Sequence, residues 1–463
     1  MSKGKNLIVL AAVFVLLLGA FIYVKNKPSA GSNTESEAKK IKLEVYDQNK
    51  IKKMMIASEK NTLELEKDGD TWKLKPDTNI KLDQTSVGSI ATSFANLYAD
   101  RIVDDNPGDI EQYGLGSGKY TATATLDDGT EKTIYIGNAV PGGSDYYMMV
   151  KGDAKLYLIA SSEGEHFRYT VSDIRDKTIF AASGDSVNYI NINLSDGTSM
   201  EIKKLQDSSA KASDYSDSSW ILSRPYSRSY SMDQTAIEGM ISSVTDLKAS
   251  GFVDAKDYSE YGLDKPSLDV TVNAGENALH LLFGKKADDS NIYLKVDGNE
   301  QIYKVASSVY DSFNKKPFDI VNKSPYIINI DDVDSITIEE NNNKYVLSLS
   351  RVKKPAQKEG EEEQVTTTYS VNGKTVKEED FKNFYQSLIG ITIEAENDKK
   401  IAYTPDVKIM FKLNKGDKKQ VEIDYCPYNS DFYSVFEDGK SDFLISKAQV
   451  QKMLKELNDL TSK

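Results

Sequence analysis

The residue types that most often carry chemistry are scarce in this chain of 463 residues. It has two histidines, His166 and His280, which lie far apart in sequence, and one cysteine, Cys426. One cysteine excludes an intramolecular disulfide, and two isolated histidines with one thiol lack the ligand spacing of a zinc site. We expect Cys426 to be a small buried apolar residue and both histidines to have packing or surface roles.

Acidic clusters are the remaining source of metal ligands. The runs 214–217 (DYSD) and 288–291 (DDSN) resemble calcium-binding turns, but both lack the glycine and the terminal glutamate of an EF-hand loop. A glycine-rich stretch, 114–118 (GLGSG), leads into a predicted strand without the lysine and helix of a phosphate-binding loop. No nucleophile elbow occurs, and no pair of carboxylates is distinguished as a hydrolase pair. The sequence therefore predicts no catalytic, cofactor or metal site.

One polar segment is distinctive, residues 224–230 (RPYSRSY). Arginine and tyrosine are favoured at interfaces, and tyrosine rings also stack on sugars and peptides. Two arginines so close together stand out on a chain with a formal net charge of −13. This composition favours a contact with a ligand or a partner, and the alternative is a loop whose tyrosines pack on Trp220. The candidate contact residues are Arg224, Tyr226, Arg228 and Tyr230.

Residues 7–24 form an apolar run, LIVLAAVFVLLLGAFIYV, without a charged residue. As a helix it would be about 27 Å long, close to the hydrocarbon thickness of a bilayer. Lysines flank it on both sides, and the free amine favours a cytoplasmic N-terminus. A cleavable signal peptide is the alternative, although the run continues past the small residues Gly19 and Ala20. We predict an uncleaved single-pass anchor over 1–27, a polar linker over 28–44 and an extracytoplasmic remainder.

A unit of about 145 residues, which is domain-sized, occurs three times after this run. Its best marker is an amphipathic helix whose apolar residues recur at offsets 0, 3, 4, 7 and 10 and so share one face. Asp83 and Asp233 precede the first two helices as N-cap residues, whereas the third has Lys377 there. The three stripes are Val87, Ile90, Ala91, Phe94 and Leu97; Ile237, Met240, Ile241, Val244 and Leu247; and Phe381, Phe384, Tyr385, Leu388 and Ile391.

Short alternating runs around each helix predict strands, and Asp-Gly or Asn-Gly pairs between them predict hairpins whose two turn residues have positive φ. The predicted order in each unit is β-β-β-α-β-β-β-β-α. The fold class is therefore α+β: three tandem repeats of mainly antiparallel sheet with a helix packed on one face, preceded by one N-terminal transmembrane helix. The units span 45–183, 184–322 and 323–463, and the third is diverged.

Several short motifs recur between these units. Unit two carries Tyr261-Gly-Leu-Asp-Lys-Pro266, Gly284, Tyr293-Leu-Lys-Val-Asp-Gly298 and Tyr303-Lys-Val305. Unit one carries Tyr113-Gly-Leu115, Ile136-Gly137 and Tyr147, and unit three keeps Pro405, Tyr433 and Asp438-Gly439 without the Tyr-Gly-Leu. Together these motifs resemble the bacterial domain-of-unknown-function family 4340 over most of the predicted ectodomain, with the weaker match in unit three.

The resemblance implies an envelope protein with one N-terminal membrane helix, which works with ABC-transporter subunits and a partner similar to gliding-motility accessory proteins. The family brings no catalytic residues and no cofactor. We therefore expect a non-enzymatic, membrane-anchored extracytoplasmic accessory or scaffold protein of an ABC-type envelope system, held in the cell membrane by residues 7–24. The alternatives are a cell-surface module that binds cell-wall glycan or peptide ligands and a hydrolase based on carboxylates. The acidic chain predicts no nucleic-acid partner.

Overall fold

The computed structural model describes residues 40–117, 119–205, 219–255, 257–354, 364–415 and 419–462. The chain divides into two compact units, of which the first ends at Asp176 and the second begins at Lys177. The first unit contains one large sheet, and the second unit contains two. We call these sheets one, two and three, and each sheet with its helices is a repeat.

The first repeat has the following elements within the described residues. Its strands are β1 (Ile41–Val45), β2 (Ile51–Ala57), β3 (Thr62–Asp68), β4 (Thr71–Lys75), β5 (Asn96–Ala99), β6 (Arg101–Asp104), β7 (Tyr120–Leu126), β8 (Glu131–Ala139), β9 (Tyr146–Val150) and β10 (Leu156–Ile159). Its helices are α1 (Gln84–Ala95), α2 (Ser161–His166) and α3 (Val171–Ile174). Sheet one has the order β4-β3-β2-β7-β8-β9-β10-β6, and β1 pairs with β5 separately.

The second repeat follows the same plan. Its strands are β11 (Thr178–Ala181), β12 (Val187–Leu194), β13 (Ser199–Lys204), β14 (Trp220–Arg224), β15 (Tyr230–Ser231), β16 (Asp246–Lys248), β17 (Gly251–Val253), β18 (Leu268–Ala274), β19 (Asn277–Lys286), β20 (Asn291–Val296) and β21 (Ile302–Ala306). Its helices are α4 (Gln234–Thr245), α5 (Ser307–Phe313) and α6 (Pro317–Ile320). Sheet two has the order β15-β14-β13-β12-β18-β19-β20-β21-β17, and β11 pairs with β16.

The third repeat has no equivalent of the separate two-stranded sheet within the described residues. Its strands are β22 (Val333–Glu340), β23 (Asn343–Lys354), β24 (Gln364–Val371), β25 (Lys374–Val376), β26 (Ala395–Glu396), β27 (Val407–Leu413), β28 (Gln420–Pro427), β29 (Phe432–Glu437) and β30 (Lys440–Ser446). Its helices are α7 (Glu378–Ile389) and α8 (Lys447–Thr461). Sheet three has the order β25-β24-β23-β22-β27-β28-β29-β30-β26.

The pairs between named strands in the described residues are antiparallel, and the three large sheets share one strand order. In each sheet the central ladder joins the first long strand to the strand that opens the second set of hairpins: β2 with β7, β12 with β18, and β22 with β27. The amphipathic helix lies between these partners in sequence and covers one face of the sheet.

The first four residues of each predicted stripe lie on the buried face of α1, α4 or α7. The fifth residue, which is Leu97, Leu247 or Ile391, lies beyond the end of the helix. Every stripe residue is buried except Ile241, which is half-buried against the core of repeat two. The predicted caps are confirmed: Asp83 accepts a hydrogen bond from the backbone N–H of Thr85, and Asp233 accepts one from Ala236. Lys377 makes no side-chain cap, and three acidic residues occupy the first turn of α7 instead, where they suit the helix dipole.

The hairpin turns differ from the prediction in one respect. In the described residues both turn residues have positive φ at Asn372-Gly373, at Asp438-Gly439 and at Asn341-Asn342, a turn without glycine. At the other Asp-Gly pairs in the described residues only the glycine does. At Asp128 and Asp196 the carboxylate accepts a hydrogen bond from the backbone N–H two residues on, at 2.8 Å in both turns.

The predicted fold class is wrong as stated. The described chain is mostly antiparallel sheet arranged in several sheets, with extra strands of two to four residues on either side of each helix, such as β6, β15 and β26. Strands this short show too few alternations to be recognised in sequence. None of the helices in the described part is long and apolar enough to cross a membrane, and the predicted transmembrane segment 7–24 lies outside the described residues.

The Tyr-Gly-Leu segments fasten a surface loop to sheets one and two. In repeat one Leu115 is buried, and the carbonyl oxygen of Tyr113 approaches β8 so closely that a Cβ at Gly137 would lie 2.1 Å from it. The ring of Tyr113 packs on Tyr147 with centroids 4.8 Å apart. The same arrangement occurs in the second repeat, where Tyr261, Leu263, Gly284 and Tyr293 form it. The recurring glycine therefore permits a close backbone approach.

Substitution of Gly137 by alanine should destabilise the first unit by about 2–4 kcal/mol, because the new Cβ meets a backbone atom that cannot move aside. Urea unfolding followed by circular dichroism measures the effect. The matched control is Gly88→Ala in α1, where a Cβ meets nothing within 4 Å, and we expect it to stabilise by about 0.5–1 kcal/mol. Equal stabilities of the two variants would contradict this role for Gly137.

Candidate functional site

The segment 225–230, which connects β14 to β15, lies against the β29–β30 hairpin of the third repeat. Its central contact is an ion pair between Arg228 Nη2 and Glu437 Oε2 at 2.5 Å. The side chains are 16% and 3% exposed, so both charges are almost fully removed from water. A buried charge is stable only with a partner of opposite sign, and each of these residues supplies it for the other. We call this contact surface between repeats two and three the junction.

Three aromatic rings surround the ion pair in the junction. Tyr226, Tyr230 and Phe443 contact one another edge to face, with centroids 5.4, 4.7 and 4.6 Å apart. The guanidinium of Arg228 lies 4.2 Å from the centre of the Tyr230 ring, which is a cation–π contact. Tyr230 belongs to the core of repeat three although it lies in a strand of sheet two. The aromatic contacts therefore join the hydrophobic cores of the two repeats.

Asp442 is the main acceptor of the junction. Its carboxylate receives hydrogen bonds from the backbone N–H of Ser227 at 3.0 Å, from the Ser227 hydroxyl at 2.7 Å and from the Tyr230 hydroxyl at 2.8 Å. Lys440 donates to the Ser227 carbonyl at 2.8 Å, and Tyr226 donates to Glu396 at 2.7 Å. These bonds fix the direction of the segment as well as its position.

The protonation states suit this arrangement. Burial, with the hydrogen bond to Glu396, raises the pKa of Tyr226 far above its ordinary value, and burial does the same for Tyr230. Both phenols therefore remain donors. Burial by itself disfavours a charged guanidinium, but Glu437 and Tyr230 outweigh this, so the pKa of Arg228 lies above its usual value. Arg228 therefore stays charged, and the two phenols stay protonated, over the physiological pH range.

The structure brings three of the four predicted contact residues together and leaves one apart. Tyr226, Arg228 and Tyr230 contact the third repeat, whereas the Arg224 side chain is 65% exposed and lies 3.9 Å from Glu201. Trp220, the alternative packing partner, belongs to the core of repeat two. The contact that the structure shows for this segment is therefore another part of the same chain.

Sequence reasoning missed the residues on the other side of the junction. Ladder positions identify Glu437 and Asp442 of repeat three with Val296 and Ile302 of repeat two. These two acids occupy hairpin positions that are apolar in repeat two, and this difference is the sequence signal that could have identified them. The loop of repeat one at 76–80 (PDTNI) also lacks arginine and tyrosine. The junction is thus specified by residues that are not repeated.

A second unusual cluster lies on the face of sheet three that is turned away from its helices. Asp424 in β28 is 4% exposed; one carboxylate oxygen accepts a hydrogen bond from Tyr403, and the other has no hydrogen-bond partner among the described residues. Burial raises the pKa of Asp424. Beside it, Ser434 bonds to Ser441 at 2.6 Å and to Asn397 at 3.0 Å. Repeat three therefore buries polar groups on the part of its sheet where repeats one and two bury the leucine of the Tyr-Gly-Leu loop.

Cys426 belongs to this cluster and occupies the ladder position of Gly137 and Gly284. In each repeat the residue before this position pairs with the first residue of the preceding strand. Because repeat three lacks the Tyr-Gly-Leu loop, the close backbone approach is absent there and a side chain fits. Burial, with the nearby Asp424 charge, raises the pKa of the thiol, which disfavours a reactive thiolate.

The other candidate residues of the sequence are engaged locally. His166 Nδ1 lies 2.7 Å from the Ser93 hydroxyl, and His280 lies between Asp269 and Asp297 on opposite nitrogens of its ring. Asp288 closes a turn by accepting from the backbone N–H groups of Ser290 and Asn291, which holds its pKa below the usual value. The run 214–217 lies outside the described residues. Within the described part no three His, Cys, Asp or Glu residues are placed to hold a metal ion.

Each of repeats two and three has a groove between its amphipathic and closing helices. The volumes are about 540 Å³ between α4 and α5 and about 530 Å³ between α7 and α8. Acidic residues and a lysine line both grooves: Asp233, Asp311, Lys315 and Asp319 in the first, and Asp380, Lys452, Glu456 and Asp459 in the second. The linings bring together no histidine or cysteine, so neither groove contains a Ser-His or Cys-His pair.

Substitution of Arg228 by alanine should destabilise the second unit by about 3–5 kcal/mol, because it removes the counter-charge that Arg228 supplies to the buried Glu437. Urea unfolding measures the loss, and limited proteolysis should show faster cleavage within 177–463. Arg224→Ala is the control and should change stability by less than about 0.5 kcal/mol, since its side chain is exposed. The double substitution Arg228→Met with Glu437→Leu should recover most of the loss. Equal effects of Arg228→Ala and Arg224→Ala would refute the assignment.

Substitution of Asp424 by asparagine should change how stability depends on pH. The folded pKa of Asp424 is raised above the ordinary 3.8, so the folded wild type binds the proton more tightly and loses stability as pH rises through this range. Asparagine still accepts from Tyr403 without a charge, so the variant should become more stable than wild type by about 1 kcal/mol towards neutral pH. Urea unfolding across the acidic-to-neutral range tests this, with Glu422→Gln in the same strand as control. A difference from wild type that does not vary with pH would exclude it.

Comparison with known proteins identifies the family. The model of the family described as Domain of unknown function (DUF4340) matches residues 72–224 and 220–406, more than half of the chain. Each match starts at the tryptophan strand of one sheet, β4 or β14, so the family unit is offset from the sheets described here. No curated protein and no solved structure matched the chain. With two adjacent copies of the family domain, this chain belongs to the DUF4340 family.

Proposed function

We propose that this chain is a non-enzymatic accessory or scaffold protein of an ABC-type system in the bacterial envelope. The observation that supports it is that a buried ion pair connects two repeats. Arg228 and Glu437 join two repeats, and their side chains are 16% and 3% exposed. A scaffold needs domains that hold a fixed geometry, whereas an enzyme places such groups where a substrate can reach them.

The junction gives repeats two and three the stiffness that this role requires. A desolvated ion pair, an aromatic triangle and several bonds to Asp442 act on one short segment, and such networks tolerate little displacement. Binding energy or force applied at one repeat is then passed to the other. The acidic surface of the chain favours partners that present basic residues. Location at the cell membrane, with most of the chain extracytoplasmic, is part of this proposal.

The test is isolation of the tagged full-length chain from its native host after mild crosslinking, followed by identification of the recovered proteins. We expect ABC-transporter subunits to be enriched at least tenfold over a culture that expresses the tag alone. Arg224→Ala, which leaves the junction intact, should preserve the enrichment, whereas Arg228→Ala should reduce it. Recovery of the full-length chain without transporter subunits would overturn the proposal.

The two alternative functions keep their status as predictions. Recognition of glycan or peptide by the 224–230 segment would require Tyr226 and Tyr230 to leave the contacts that they make in the junction. A carboxylate-based hydrolase would need two acids on either side of the bond that is cleaved, and the acids that line the two helix grooves are its candidates. No observation in the described residues favours either alternative over the scaffold.

A further inference from the structure

The β23–β24 hairpin extends beyond the rest of sheet three. Its ladder continues to the pair Lys354–Gln364, whereas β22 pairs with β23 only as far as Ser348. On the other side, β25 pairs with β24 only from Tyr369 to Val371. Residues 364–368 of β24 therefore form an edge along which no described strand is paired. Isolated two-stranded ribbons are marginally stable in water, and open strand edges bind further strands.

The backbone of this edge points its hydrogen-bonding groups outwards. Val371 and Lys374 flank the two-residue turn Asn372-Gly373, which makes them a hydrogen-bonded pair. The N–H and C=O groups of Val371 and Tyr369 thus point towards β25. By the alternation of a strand, those of Thr367 and Val365 point the same way, past the end of β25.

The edge lacks the features by which strands usually avoid pairing. Its sequence, Val365-Thr-Thr-Thr368, is uncharged, β-branched and free of proline. The corresponding strands elsewhere are protected: β4 carries Lys73 and Lys75, and β14 is covered by β15. In the opposite strand of the ribbon, residues 351–354 have the basic sequence RVKK. Arg351 covers the base of that edge by donating hydrogen bonds to the carbonyls of Ile330 and Val333 at 2.8 Å.

We propose that the β24 edge pairs with the same edge of a second copy of this chain, in antiparallel register centred on Thr366. The open stretch has five residues with Thr366 in the middle, so each Val365 pairs with a Thr367 of the other copy and Thr366 faces its equivalent. Both outward-pointing residues on each strand are then satisfied. Identical strands without charge meet in this register with no like-charge repulsion, which the basic β23 edge could not avoid.

A disulfide test follows from the register. Thr366 would form a non-hydrogen-bonded pair with its equivalent, with Cα atoms about 4.5 Å apart, within the range of a disulfide. Val352 pairs with Thr366 across the ribbon and shares its face, but in the dimer two Val352 residues are three strand spacings, about 14 Å, apart. The side chain of Val352 is 58% exposed, so a cysteine there is accessible. Cys426, the native cysteine, is buried and gives little background.

The experiment compares Thr366→Cys with Val352→Cys in the purified full-length chain, kept in mild detergent and oxidised with copper-phenanthroline. We expect disulfide-linked dimer to form at least tenfold faster with Thr366→Cys, as seen on non-reducing gels. In the chain without an introduced cysteine, Thr367→Pro removes one outward-pointing N–H group. We expect it to weaken dimerisation at least tenfold, as measured by analytical ultracentrifugation. Circular dichroism confirms that each variant is folded.

Equal crosslinking of the two cysteine variants would overturn the proposal, and so would a folded Thr366→Cys chain that forms no dimer. A wild-type chain that remains monomeric at high concentration would have the same consequence. Because the assay contains only this chain, its outcome is independent of the search for transporter subunits.

Discussion

Each sheet depends on one ladder between strands that are distant in sequence. The pairs β2–β7, β12–β18 and β22–β27 join the first hairpins of a repeat to the last ones, and everything between them, including the amphipathic helix, must form a closed loop. The entropy lost on closing such a loop grows only slowly with its length. Burial of the helix stripe on the sheet offsets it, which explains why the stripe recurs at the same place in all three repeats.

The third repeat has the same central ladder, but a different segment packs on the outer face of its sheet. In repeats one and two a glycine in β8 or β19 lets the Tyr-Gly-Leu loop approach the sheet, and the leucine of that loop is buried. In repeat three Cys426 takes the place of the glycine, and the segment around Tyr403 is held through a hydrogen bond to the buried Asp424. A buried leucine attaches the loop in repeats one and two, whereas a hydrogen bond to a carboxylate attaches it in repeat three. The attachment in repeat three is therefore sensitive to the protonation of Asp424.

The junction also depends on residues that differ between the repeats. Repeat three has acids at hairpin positions where repeat two has Val296 and Ile302, and repeat two has Arg228 and Tyr230 in a loop where repeat one has neither. Neither side is stable alone: a buried arginine requires a carboxylate, and a buried carboxylate requires a donor. Residues that are not repeated between the copies therefore hold repeats two and three of the second unit together.

The sequence alone determined the local features. The helix stripes, the Asp83 and Asp233 caps and the places of the hairpins were predictable because each depends on residues a few positions apart. It also singled out Tyr226, Arg228 and Tyr230 as contact residues by their type. Their partners, however, lie more than 160 residues further along the chain, and the strands of two to four residues that complete each sheet carry too little pattern to be read. Only the tertiary structure decided these, because the free energy of a buried charge or an edge strand depends on what the fold brings beside it.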